Sequence, residues 1–223
     1  MLYGAFVWVR RALNRPGRAR TDHAPGAALV LPHLMAILIA MGTSLLLTGA
    51  FHEDGLADTF DGIGGGLNKA RALEIMKDSR LGTYGAAALF MALALKAGAL
   101  FALPPVWVCT ALPLAHCLSR GSAVLVIATS RYVRDEGTGK PVAKGISAVT
   151  LVVTCLTLSG AVAICLLVLP FVAVVSSFVA MCLMHVAMRA FFEPKLGGYT
   201  GDTLGAVQQA SEIGIYLGLL AWL

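Results

Sequence analysis

Four carboxylates crowd into the nine residues from Glu53 to Asp61, within the run His52-Glu53-Asp54-Gly55-Leu56-Ala57-Asp58-Thr59-Phe60-Asp61-Gly62, directly after a long apolar stretch. Asp54, Asp58 and Asp61 are spaced i, i+4 and i+7, so on a helix all three leave one face, with neighbouring Cβ atoms about 5–6 Å apart. Like charges that close repel, and a cation between them relieves the repulsion. Ligation by carboxylate oxygens alone favours Mg2+, Mn2+ or Ca2+ over zinc. Glu53 is a further candidate ligand, and His52 a candidate base, because an imidazole titrates near neutrality. The plainer alternatives are an acidic solvated loop or an acidic first helical turn stabilised by the helix dipole. The position at the end of an apolar run favours the metal site, since ionisable groups at a membrane border are held for an ion, a substrate or a proton path.

Gly62-Ile63-Gly64-Gly65-Gly66 comes next. A glycine-rich loop leading into a helix can wrap phosphate oxygens with backbone N–H groups, which makes Gly64, Gly65 and Gly66 candidate substrate contacts. The segment matches neither the Walker nor the dinucleotide pattern, and a flexible linker has the same composition. The polar stretch from Asn68 to Arg80 strengthens the phosphate reading, because Lys77 and Arg80 can meet anionic oxygens and Asp78 can add a ligand. Lys69, Arg71 and Glu74 read instead as a solvated helix face with weak salt pairs. Metal, glycines and cations together suggest a diphosphate.

Further polar islands interrupt the apolar pattern. Thr200, Gly201 and Asp202 sit at the mouth of the final apolar run, and Gln208, Gln209, Ser211 and Glu212 continue into it. Glu212 is expensive there unless it faces a site. Ser119-Arg120 breaks another run, with Arg120 readable as an interhelical or snorkelling arginine or as a phosphate contact. The basic loop from Arg131 to Lys140 is readable as topology signal only, and all of these islands converge on one cytoplasmic mouth.

The elements that must position these residues follow from composition. The chain has 223 residues, 58% hydrophobic and 13% charged, with a mean hydropathy of +0.80. A soluble domain of this size could not cover so much apolar surface, so this is an integral membrane protein. The formal charge of +5 comes from Lys and Arg lying mostly between apolar runs, which orients a polytopic membrane protein and does not form a nucleic-acid-binding stripe. Cys109, Cys117, Cys155, Cys165 and Cys182 lie in apolar runs with no C-x-x-C pair and read as small buried hydrophobes.

Apolar runs at 29–51, 84–103, 106–128, 147–169, 171–188 and 204–223 make about six spans, and residues 1–9 add the stub of another. The expected fold is an all-α polytopic bundle of six to seven transmembrane helices forming one domain over 1–223. The uncharged breaks at Pro104-Pro105 and Pro170 predict helical hairpins. The charged loops 52–83, 129–146 and 189–203 then share the opposite face and hold ten of the seventeen Lys and Arg residues, which marks that face as cytoplasmic. Arg10, Arg11, Arg15, Arg18 and Arg20 conflict with this arrangement, because a full span at 29–51 puts them outside. The expectation is a chain whose first helix is abbreviated at 1–9.

Three motifs carry a resemblance. They are His52-Glu53-Asp54-Gly55-Leu56-Ala57-Asp58-x-x-Asp61-Gly62-x-Gly64-Gly65-Gly66; Leu73-Glu74-Ile75-Met76-Lys77-Asp78-Ser79-Arg80-x-Gly82-Thr83-Tyr84-Gly85; and Gly197-Gly198-Tyr199-Thr200-Gly201-Asp202-x-Leu204-Gly205-Ala206. Together with Ser119-Arg120 and the Arg131 to Gly139 loop, they resemble the cobalamin synthases, the adenosylcobinamide-GDP ribazoletransferases, from about residue 29 to the C-terminus. The resemblance implies a Mg2+-dependent reaction at the bacterial inner membrane in cobalamin (vitamin B12) biosynthesis. Adenosylcobinamide-GDP and α-ribazole, or α-ribazole 5′-phosphate, would yield adenosylcobalamin or its 5′-phosphate and GMP. The acidic motif is also distantly similar to that of membrane CDP-alcohol phosphotransferases.

The chemistry suggests Asp54, Asp58 and Asp61 as ligands and Glu53, Asp78 and Asp202 as further ligands or orienters. Lys77 and Arg80 would clamp phosphate, with His52 as base. Expected partners are these small molecules and the lipid bilayer, with no nucleic acid; a homo-oligomer is compatible with the sequence. A cation transporter is the competing reading, but its acidic groups belong near the middle of broken helices, whereas most here lie at 52–83. A structural membrane subunit leaves the carboxylate cluster unexplained.

Overall fold

The computed structural model describes residues 32–134 and 146–223. They form α1 (His33–Thr48), α2 (Phe51–Gly65), α3 (Lys69–Ile75), α4 (Thr83–Ala102), α5 (Pro105–Thr129), α6 (Ala148–Cys165), α7 (Phe171–Leu196) and α8 (Gly201–Leu220). No strand occurs among the described residues, only an isolated parallel bridge between Tyr132 and Tyr199. The all-α expectation holds. The expected stub at 1–9, the arginines from Arg10 to Arg20 and the loop residues 135–145 lie outside the described residues.

Four helices are long and apolar enough to cross a membrane, namely α4, α5, α6 and α7; α1 and α2 make a fifth if the bent pair is one crossing. The expected six to seven is not reached among the described residues, for two physical reasons. The run at 29–51 breaks where Gly49 and Ala50 take left-handed φ values of 61° and 55°, which turns α2 by 84° from α1. The run at 204–223 is α8, whose Gln208, Gln209, Ser211 and Glu212 dilute its apolarity, and nearly all of it from Thr203 to Leu219 is buried in the protein.

Helix α8 is the hub, packing chiefly against α7, α2 and α5. Small residues let backbones approach closely, as in helix pairs within membranes. A Cβ added at Gly205 would lie 3.0 Å from the His52 carbonyl oxygen, one at Gly55 would lie 2.7 Å from the Asp202 carbonyl oxygen, and one at Gly214 would lie 2.8 Å from that of Ala180. The Gly55–Gly205 crossing sets the acidic motif of α2 against the start of α8.

The prolines do break the chain, with Pro104 opening α5 and Pro170 opening α7, but the helices on either side of each break do not pair as hairpins, because α4, α5 and α7 pack on α8 and α6 packs on α5. Two apolar clusters result. One gathers Leu100, Leu103, Val108, Leu114, Tyr216 and Leu219 at the end away from the acidic motif; the other gathers Leu56, Met76, Phe192, Leu196, Tyr199 and Val207 beneath it. Helix α6 buries only Cys165 and presents Val149, Val152, Leu156 and Ile164 outward, which suits a lipid-facing helix.

Candidate functional site

The four carboxylates of α2 have separate environments. Glu53 is buried and accepts a hydrogen bond from Gln209 Nε2 at 2.9 Å, turning into the helix bundle. Asp61 is buried too, and its two oxygens accept from the amides of Gly82 at 2.7 Å and Gly85 at 2.8 Å. It thereby satisfies free N–H groups at the start of α4, where a negative charge also meets the helix dipole. A side chain at Gly82 or Gly85 would collide with that carboxylate, so both glycines are required by the contact. Between these anchors Asp54 is exposed and Asp58 half-buried.

Asp54 and Asp58 face Asp202 at the mouth of α8. Burial, followed by the negative charges of Asp54 and Asp202, pushes Asp58 up to about 7. Asp202 is also raised, by burial first, against the opposing charge of Arg134. Arg134 lies 2.6 Å from Asp202 and reaches the Met76 carbonyl at 3.4 Å. Its placement depends on two glycines. Gly197 ends α7 in a left-handed turn and Gly198 takes φ +155°, where a Cβ would strike the Arg131 carbonyl. The released chain pairs with 131–133, Tyr199 N–H donating to the Arg131 carbonyl at 2.9 Å and Val133 N–H to the Tyr199 carbonyl at 3.0 Å. The loops that the sequence set on one face therefore do meet there.

In charge and donor type, Asp54, Asp58 and Asp202 suit a hard divalent cation. Among the described residues no three His, Cys, Asp or Glu side chains are grouped to hold a metal as a closed cage. A cage is not what Mg2+ requires, since at phosphate-handling sites it takes one or two carboxylates and completes its shell with water and phosphate oxygens. The five expected ligands thus divide into Asp54, Asp58 and Asp202 at the mouth, Glu53 in the interior and Asp61 on the start of α4.

The other expected site residues are placed as follows. His52 projects roughly 200° around α2 from Asp54, away from the acidic face. Burial first, then Arg120, lowers its pKa. Arg120 folds back on its own helix, donating to the His116 carbonyl at 2.9 Å. Asp78 and Arg80 bind each other at 2.5 Å on the surface, which holds Asp78 below the usual carboxylate range and occupies both side chains. Lys77 is exposed, follows Met76, whose carbonyl Arg134 reaches, and makes no ion pair among the described residues. Thr200 caps α8 in a reciprocal box with Thr203, and Gly201 begins that helix with open space above it. Arg71 and Glu74 form the expected solvated pair at 2.8 Å.

One element differs from expectation. Gly62 to Gly65 is not a phosphate-wrapping loop but the last turn of α2, with Gly66 as its cap. The glycines admit neighbours: a Cβ at Gly66 would lie 2.6 Å from Ala72 Cα, and one at Gly64 would lie 2.6 Å from the Tyr84 ring. Gly65 is exposed, with Ile75 at 3.4 Å from a Cβ built there.

A family model described as cobalamin-5-phosphate synthase matches residues 24–220. The chain belongs to that family. A relative from Shewanella frigidimarina, named adenosylcobinamide-GDP ribazoletransferase, is 46% identical over 200 residues, covering 87% of this chain and 75% of the relative. A relative of the same name from Shewanella putrefaciens is 47% identical over 197 residues, covering 85% of this chain and 73% of the relative. No solved structure matches.

The sequence reading of this cobalamin-5-phosphate synthase family member missed two charged residues. Arg134 lies in a basic loop that shares in the resemblance but carries no site role of its own in the sequence. Lys96 passed unnoticed in the middle of α4, although a lysine at the centre of a membrane-crossing helix costs roughly 2.5–3.5 kcal/mol on insertion scales and is itself a signal. Lys96 is buried, 3.1 Å from Glu212 and 3.9 Å from Glu53. Gln208 Nε2 donates to Glu212 and Ser119, Gln209 Nε2 to Glu53 and Gln208, and the Tyr216 hydroxyl to Glu212, all at 2.8–2.9 Å. The cost of Glu212 inside the bundle is met by this group.

Proposed function

We propose that this protein joins adenosylcobinamide-GDP to α-ribazole or α-ribazole 5′-phosphate, making adenosylcobalamin or adenosylcobalamin 5′-phosphate and releasing GMP. The ribose hydroxyl oxygen forms a bond to the phosphorus attached to cobinamide, and the bond from that phosphorus to the bridging oxygen breaks. GMP leaves with the electron pair, and the hydroxyl proton passes to solvent or a base. The observation that carries this reading is the Asp54–Asp58 edge, which faces Asp202 and Arg134 and carries no ion pair of its own among the described residues. Family membership and the names of the relatives agree with it.

Mg2+, when bound, would neutralise charge on the diphosphate and on departing GMP. Asp54 and Asp58 would hold it, with Asp202 orienting from α8. Arg134 lies at that mouth and suits phosphate oxygens, and Lys77 would join it from the segment that Arg134 reaches, while α2 and α8 form the rigid frame. The interior carboxylates are not free to carry a transported ion, because Lys96 already lies between them. That geometry disfavours the transporter.

The setting we propose is the bacterial inner membrane, with α4 to α7 crossing lipid and the acidic mouth facing the cytoplasm, as the excess of Lys and Arg on the loops of that face suggests. A cysteine in place of Lys77 should be labelled from the cytoplasmic side. The activity test is Mg2+, adenosylcobinamide-GDP and α-ribazole supplied to washed membranes. GMP release is expected, and its absence from a folded wild-type protein would sink the proposal.

A further inference from the structure

The acidic residues of α2 alternate between fastening and display. The outer two, Glu53 and Asp61, are buried and bonded to other helices, while the inner two, Asp54 and Asp58, stand on the open edge. Each end of the acidic stretch therefore has its own tether. The tether at Asp61 runs to backbone amides of α4. The tether at Glu53 runs into the bundle, to Gln209 and onward to Gln208, Glu212 and Lys96.

Resting on the function proposed above, we propose that Lys96 and Glu212 are positioning residues for the metal-binding edge, acting through Gln208, Gln209 and Glu53. Glu53 and Asp54 are consecutive on one rigid helix, so the seat of Glu53 fixes the rotation of α2 about its axis and with it the direction of Asp54 and Asp58. Lys96 comes from α4, and Gln208, Gln209 and Glu212 come from α8, so the group ties three helices at one point. The charges make this tie specific. Lys96 lies between two carboxylates of different helices, and all three groups are buried. Apolar packing would hold α2 to α8 with less control of rotation, because the crossing itself is made by glycines that offer no interlocking side chain. Partners of metal ligands typically change affinity or activity 10–100-fold when lost.

The test is the double variant Lys96→Met with Glu212→Gln, which removes one charge of each sign and leaves the fold without an unpaired lysine. Thermal unfolding verifies that it folds. Mn2+ affinity of the substrate-free protein, measured by electron paramagnetic resonance, should weaken about tenfold; kcat should fall at least about tenfold, with KM for α-ribazole within about twofold. A folded double variant whose Mn2+ affinity stays within twofold of wild type overturns the proposal. Where the double variant does not fold, Gln209→Leu, which keeps both charges and removes the links from Gln209 to Glu53 and Gln208, takes its place with the same expected and overturning results. The Mn2+ measurement uses no substrate. Failure of wild type to release GMP would therefore count against the proposed reaction, and unchanged Mn2+ affinity in the variant against the positioning role.

Discussion

Two groups of carboxylates lie on either side of α2, and they differ in what surrounds them. At the mouth, Asp54, Asp58 and Asp202 repel one another, and Arg134 is the cation at hand, paired with Asp202. In the interior, Glu53 and Glu212 have a lysine between them, with donors on both oxygens of Glu212 and on Oε1 of Glu53. Glu53 and Asp54 are adjacent in sequence, so residue type does not decide the role. Rotation by about 100° around the helix does, by exchanging the open edge for the bundle. A carboxylate group left short of cations is a place for an incoming one; a group already supplied is structure.

The sharpest way to break this contrast is to neutralise one member of each group. Asp58→Asn should lower turnover by about a thousandfold, the loss of several kcal/mol of charge stabilisation, while the melting temperature holds or rises because a repelling charge is gone. GMP release and thermal unfolding read the two effects. Lys96→Met alone should do the reverse of the second effect. Removing one partner of a buried ion group costs about 3–5 kcal/mol, a fall of roughly 10 °C in melting temperature. A thermally silent Lys96→Met would erase the distinction between the two groups.

Acidity sharpens the contrast further. Asp58 is held at about 7, above the ordinary carboxylate value of 3.8. The folded metal-free protein therefore keeps a proton that the unfolded chain has released between about pH 4 and 7. Stability from this group is present at low pH and is lost as pH rises through that window, and Asp58→Asn should flatten the slope. A cation must displace the same proton, so the Mg2+ needed for half-maximal activity should rise as pH falls below about 7. The smallest effect concerns the bend that swings α2 off α1. Ala50 holds a left-handed φ of 55°, and Ala50→Gly should stabilise the protein by about 0.5–1 kcal/mol in a thermal melt without altering activity.

Much of this arrangement is legible from spacing. The i, i+4, i+7 pattern placed Asp54, Asp58 and Asp61 on one helical face, and charge distribution brought the loops near Asp202 to the same end. What spacing does not reveal is the partner. Asp61 has the right phase for a metal ligand, but Gly82 and Gly85 bring α4 close enough to take both its oxygens. The glycines at 62–66 suggest a loop by composition, although they serve Ala72 and Tyr84 as a packing surface. Helix α8 reads as a lipid-facing span because apolar residues look alike whether they meet lipid or protein. Lys96 is hidden for the same reason, since one lysine barely lowers the hydropathy of a 20-residue helix.

The most direct test is Mn2+ binding to the purified, substrate-free protein carrying Asp54→Asn and Asp58→Asn together. The expected result is a folded protein whose melting temperature is not lowered and whose Mn2+ affinity is at least about a hundredfold weaker than wild type. A folded double variant that binds Mn2+ as wild type does would contradict the assignment of the mouth carboxylates to the metal.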